Sequence, residues 1–134
     1  MGAWGTGSFE NDDAMDWADD FCEAPGREMI LGALTAVDWD TEEYVEAPQS
    51  SNAIAAAEIV AALKMAPGAT LPEDVKRCVA DANIVIDPAI VELALGAVSR
   101  VREDSELEVL WDGSEFAAEW YAVVDDLESR LGRL

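Results

Sequence analysis

The chain has 134 residues, enough for one domain, and its composition is globular, 51% apolar and 28% charged. Eight basic residues stand against twenty-nine acidic ones, a net charge of -21, which argues against a basic nucleic-acid-binding surface. Histidine is absent, so the commonest general base and the commonest metal ligand are both missing.

The elements follow in chain order. Residues 2 to 10 are punctuated by Gly2, Gly5 and Gly7 and carry Trp4 and Phe9, which predicts a tight, non-helical, Gly/Trp-rich lead-in. Asn11 then reads as a helix cap, with Asp12 and Asp13 suited to the positive end of the helix dipole. That helix runs to about Glu23, its inward stripe Ala14, Trp17, Ala18 and Phe21, and Ala24-Pro25-Gly26 ends it. A second helix is expected from about Arg27 to Val37. Between Asp38 and Gln49 the pattern gives a helical turn around Glu42 to Glu46, then Pro48 in a loop. An alanine-rich third helix should open near Ser50-Ser51-Asn52 and reach Lys64 or Met65, where Pro67-Gly68 stops it.

Pro72 opens a fourth helix through about Ala82. Asp87-Pro88 repeats the signal, with Asp87 the cap of a fifth helix that carries Ile90, Val91, Leu93, Ala94, Leu95, Ala97, Val98 and Val101. Asp104 to Asp112 predicts a short helix broken by Gly113-Ser114. A last helix is expected to turn Phe116, Trp120, Val123, Val124, Leu127 and Leu131 inward at helical spacing. Asn83-Ile84-Val85-Ile86 is the one β-like run and is too short to make a sheet. The expectation is a single all-α domain over residues 1–134, five to six helices in an antiparallel bundle-like array.

Cys22 and Cys78 are too few for a disulfide framework or a four-thiolate zinc site. Each reads as a small apolar side chain on a helix, and a bridge between them stays open. The most apolar stretch, Ala53 to Leu63, contains Glu58 and falls far short of a membrane span. No Lys or Arg precedes Arg27, so no signal peptide is expected, and a soluble cytoplasmic protein is. The start, Met1-Gly2-Ala3-Trp4-Gly5-Thr6, fits an acylation pattern formally, but the acidic segment behind it would be repelled by anionic lipid.

Four groups of residues bear on function. Asp12, Asp16, Asp19 and Asp20 fall at helical offsets that place them on one face, a metal-site candidate whose plain alternative is a solvated face. Asp38-Trp39-Asp40-Thr41-Glu42 faintly echoes a calcium loop, but Glu43 stands where glycine is needed and Gln49 where glutamate is. Glu58 sits inside an apolar helix and calls for a hydrogen bond or a basic partner such as Lys64, Arg77 or Arg100. Trp39, between two aspartates, is the tryptophan expected to be exposed, and Trp39, Asp38, Asp40 and Asp13 form the candidate interaction set. No catalytic residue and no cofactor site can be assigned. Residues 1 to 63 hold fourteen acids and one base, which predicts an acidic face.

The opening run Gly2-Ala3-Trp4-Gly5-Thr6-Gly7-Ser8-Phe9-Glu10-Asn11-Asp12-Asp13-Ala14-Met15-Asp16-Trp17 resembles the hallmark of the bacterial domain-of-unknown-function 4259 family, G-x-W-G-x-G-x-F-x-N-D-x-A-x-D-W. Ala55-Ala56-Ala57-Glu58 and Ser105-Glu106-Leu107 with Trp111 extend the resemblance over the whole chain. It implies a small cytoplasmic bacterial protein and carries no catalytic residues. A physical reading of the same motif clusters Trp4, Phe9 and Trp17, with Asp16 bonding a lead-in amide. The functional expectation is a small acidic interaction protein, of inhibitor or immunity type, binding a basic protein partner and neither nucleic acid nor membrane. The alternatives are a metal-dependent enzyme using the first-helix carboxylates, and acidity that serves solubility only.

Overall fold

A computed structural model describes residues 3–134; Met1 and Gly2, with the acylation-like start they open, lie outside them. The described residues form α1 (Asp12–Glu23), α2 (Arg27–Thr35), α3 (Ala47–Leu63), α4 (Glu73–Asp81), α5 (Pro88–Glu103), α6 (Glu106–Asp112) and α7 (Ala117–Gly132). Among the described residues the fold is all-helical, with seven helices where five to six are expected.

The two predicted caps, Asn11 and Asp87, are in place, and Ser105 is a third that was not predicted. The side-chain oxygen of Asn11 accepts from the Ala14 N–H at 2.8 Å, that of Asp87 accepts from Ile90 N–H at 3.0 Å, and that of Ser105 accepts from Glu108 N–H at 3.1 Å. Pro88 takes the first position of α5.

α3 organises the rest. Every position from 53 to 62 is buried. A helix apolar on all sides belongs in the interior, and α3 touches each of the other six helices. Its run of alanines lets those neighbours approach closely. Ser51 and Ile54 share a narrow slot with Trp120 and Val124, while Arg130 bonds both Glu58 and the Ala66 carbonyl. α3 and α7 therefore run in the same direction. α5 runs the other way, its start beside Lys64 and its Arg100 reaching Thr41 and Glu43. The antiparallel expectation holds for α3 with α5 and not for α3 with α7.

Several local expectations need correction. α3 opens at Ala47, not near Ser50, and Pro48 lies in its first turn. There the missing proline N–H costs nothing, and the Ala47 amide donates to Glu106 Oε1 at 2.8 Å, a partner 59 residues away. The segment 41–46 is irregular, not a helical turn, and its carbonyls at Thr41 and Glu43 bond Arg100 instead of the next turn. α3 ends on Met65, whose φ of 66° makes it the left-handed residue of the terminus. Met65 N–H donates to the Ala62 carbonyl at 3.0 Å and Ala66 N–H to Ala61 at 2.8 Å, a Schellman ending. Gly68 has another task, described below. Phe116, expected on the inward stripe of the last helix, is instead the N-cap residue of α7 and stands exposed just before that helix.

Cys22 and Cys78 are not plain apolar side chains. They are joined in a disulfide between α1 and α4, with Cα atoms 5.5 Å apart. That spacing lies within the range a bridge requires. The acids also depart from expectation. Exposed carboxylates stand on every helix except α3, so acidity covers the surface and is not gathered on one face.

Candidate functional site

Two buried arginines organise the polar interior. Arg130, 7% exposed, clasps Glu58, 5% exposed, through two hydrogen bonds of 2.8 and 3.1 Å. Ser8 Oγ donates to Glu58 Oε2 at 2.7 Å, Arg130 Nε donates to Asp126 at 2.8 Å, and Arg130 also reaches the Ala66 carbonyl at 3.1 Å. Burial opposes the arginine charge, yet the bonds to Glu58 and Asp126 outweigh it and raise the Arg130 pKa above its ordinary value. Gly68 lies against this pair: a Cβ there would stand 3.1 Å from Glu58 Oε1 and 3.2 Å from an Arg130 nitrogen. The partner of Glu58 is thus Arg130, not Lys64, Arg77 or Arg100. The pair is fully bonded and tied to three elements, which makes it a structural clasp of lead-in, α3 and α7.

Arg100, 6% exposed, does something different. Its guanidinium donates to the carbonyls of Asp38 at 2.8 Å, Thr41 at 2.9 Å and Glu43 at 3.4 Å. It also lies 5.5 Å from the centre of the Trp39 ring, within cation–π range. A buried cation therefore braces a loop whose aromatic side chain is 50% exposed. The Trp39 ring forms one wall of an open groove of about 640 Å³ between α5 and α7. Gly96, Ser99, Ser129 and Gly132 line the groove with small side chains, and Asp125 and Glu128 add carboxylates. Arg102 pairs with Asp125 and lies over the Tyr121 ring at 5.1 Å.

The predicted interaction residues are not all together. Asp38 accepts the Asp40 N–H on its own Oδ1 at 3.0 Å, so its side chain holds the turn that carries Trp39. Asp40 is exposed beside it. Asp13 stands elsewhere, lining the slot between the lead-in and Trp120. Asp12, Asp16, Asp19 and Asp20 are all exposed along α1. Among the described residues, no three Cys, Asp or Glu side chains are close enough to hold a metal ion. Nor does any helix there have the length and apolarity to cross a membrane.

The lead-in also differs from its predicted aromatic cluster. Trp4 is 61% exposed, Phe9 is buried, and Trp17 stacks on Phe21 with ring centres 5.6 Å apart. The lead-in amide of Gly7 donates to Glu10 at 3.0 Å, the role assigned to Asp16. Gly5 and Gly7 make room for that carboxylate, since a Cβ on either would collide with it. A family model described as Domain of unknown function (DUF4259) matches residues 2–123. The chain belongs to that family. Comparison with curated proteins and with solved structures gives no match. The matched region of this DUF4259 chain includes the lead-in, the Trp39 loop and Arg100, and ends before Arg130.

Sequence reasoning found Trp39 but missed Arg100, the residue that holds it. A cation in the last turn of an amphipathic helix normally reads as a partner of the helix dipole. The signal available was position: Arg100 falls between the inward Ala97 and Val101.

Proposed function

We propose that this is an acidic, non-enzymatic interaction protein of the bacterial cytoplasm, of inhibitor or immunity type, that binds a basic protein partner through the Trp39 groove. The observation that carries the reading is the brace itself. A buried guanidinium, with three loop carbonyls as acceptors, holds a tryptophan that is half in solvent. Nothing in the core requires an exposed indole to be held in place. A partner does, because tryptophans dominate interface energetics and a rigid anchor loses little entropy on binding. The net charge of -21 attracts basic molecules over a distance and makes that encounter dependent on salt.

The test is affinity capture from the source cell at low salt, run in parallel with the wild-type chain and Trp39→Ala. The expected result is a basic protein retained by the first and lost by the second, with retention falling as salt rises. Equal capture by both chains, or none by either, overturns the reading. Calorimetry with magnesium, manganese and calcium addresses the metal-dependent alternative. Binding heat that disappears in Asp12→Asn and Asp16→Asn would replace the interaction reading with that one. A melting temperature that climbs steeply with potassium chloride, with no partner captured, would leave solubility as the purpose of the acids.

A further inference from the structure

At the other end of α7 a second surface has a different chemistry. Residues 1–26 contain no lysine or arginine, and residues 103–129 contain none. The fold brings these two cation-free stretches together. Ala3, Trp4, Gly5 and Thr6 of the lead-in meet Trp111, Phe116 and Glu119 around a cleft of about 370 Å³. Trp4 is 61% exposed and Phe116 47%, so the cleft presents aromatic surface to solvent. Glu119 lines the cleft, Glu115 is exposed next to Phe116 in the chain, and Asp13 lines the slot that shares Ala3, Gly5, Thr6 and Trp111 with it. That slot has about 30 Å³ of free space, room for a single water, so a side chain can occupy the cleft alone.

The lead-in that carries Trp4 is held from behind. Trp4 N–H donates to the Glu10 carbonyl at 3.0 Å, Ala3 pairs with Asn11 in an isolated bridge, and Ser8 is bonded to buried Glu58. The backbone is therefore anchored while the indole is left out of the core. Behind it, Tyr121 ties α7 to α6 by donating its single hydroxyl proton to Glu108 at 2.6 Å, with Asp112 Oδ1 at 3.2 Å.

We infer that this cleft is a second docking site, whose occupant is a basic polypeptide segment carrying one bulky apolar side chain between lysines or arginines. The apolar side chain enters between Trp4, Trp111 and Phe116, and its cationic neighbours face Glu119, Glu115 and Asp13. Charge decides the occupant. A second copy of the chain brings another -21 to the contact, and an anionic lipid surface is repelled in the same way. The site is separate from the Trp39 groove and does not depend on it.

The experiment titrates the full chain with three acetylated, amidated peptides: Lys-Lys-Leu-Lys-Lys, Lys-Lys-Gly-Lys-Lys and Glu-Glu-Leu-Glu-Glu. Binding is followed on the indole N–H resonances. The leucine peptide moves the Trp4 and Trp111 signals and binds about tenfold more tightly than the glycine peptide, as expected for one partly buried leucine. The acidic peptide moves neither signal. Trp4→Ala brings the two basic peptides to near parity, and Trp39→Ala keeps the preference. Should Trp4→Ala fail to fold, Phe116→Ser carries the same expectation. Equal binding of the leucine and glycine peptides, shifts confined to Trp39, or a dimer in sedimentation overturns the inference and leaves the Trp39 reading to its own test.

Discussion

Arg100 and Arg130 are buried to almost the same depth, 6% and 7% exposed, yet they serve different ends. Arg130 meets a buried carboxylate, and the pair locks lead-in, α3 and α7 together. Arg100 meets loop carbonyls, and its only carboxylate contact is Asp104 at 3.3 Å, which is mostly in solvent. One cation is neutralised inside the protein. The other leaves its loop rigid and its tryptophan outside. The same residue type thus builds a clasp in one place and a pedestal in another, and the difference lies in what accepts the hydrogen bonds.

The largest expected effect comes from breaking the clasp. Glu58→Ala leaves Arg130 buried without its main partner and should lower the unfolding free energy by about 3–5 kcal/mol, measured by urea titration. The double variant Glu58→Leu with Arg130→Met should recover most of that loss, because the uncompensated charge is gone. If Arg130 were a binding residue, the double variant would recover its stability and still lose the partner. Next in size is the Cys22–Cys78 bridge, which closes a loop with a sequence separation of 56. Reducing it should cost about 2–4 kcal/mol through the entropy returned to the unfolded chain. It should leave both arginine sites intact, since no cysteine is among their hydrogen-bond partners.

Breaking the pedestal should do less to stability and more to function. Arg100→Ala strands the carbonyls of Asp38, Thr41 and Glu43, but they belong to an exposed loop that water can reach. A cost of about 1–3 kcal/mol is expected. Amide exchange should rise across residues 38–46 and not in α3, and partner capture should fall as far as it does for Trp39→Ala. A variant that loses stability while keeping capture would make Arg100 a clasp like Arg130 and remove the distinction.

How much of this was legible in the sequence follows the range of the interactions. Asn11, Asp87 and Pro88 announce their helices because a cap and its amide are three residues apart. The alanine run announces α3 because propensity and burial agree there. Glu58 announced that it needed a partner but not which one, since Arg130 lies 72 residues on and only the parallel course of α3 and α7 joins them. The start of α3 was misplaced for the same reason: Glu106 satisfies its first amide across 59 residues. At the candidate site, the exposed indole was readable from its flanking aspartates, while the guanidinium beneath it was not. The expected acidic face failed because the uneven quantity in the sequence is where the cations fall.

The smallest effect sharpens the comparison from the solvent side. Arg27 and Asp87 make an exposed pair at 2.7 Å, a third way to use an arginine. The Asp87 pKa is lowered from 3.8, first by the hydrogen bond from the Ile90 amide, against a desolvation cost, and then by Arg27. A carboxyl group whose folded pKa is depressed adds stability above its unfolded value, and that contribution fades as pH drops through the folded value. Asp87→Ala should therefore melt below the wild-type chain at pH 7, and the two melting curves should converge once the pH is well below 3.8. Arg27→Ala should produce only part of that gap, because the backbone amide is the larger cause and survives the substitution. A gap that Arg27→Ala reproduced in full would mean that the ion pair, and not the helix cap, holds the start of α5. The exposed arginine would then rank with the buried ones as a structural tie.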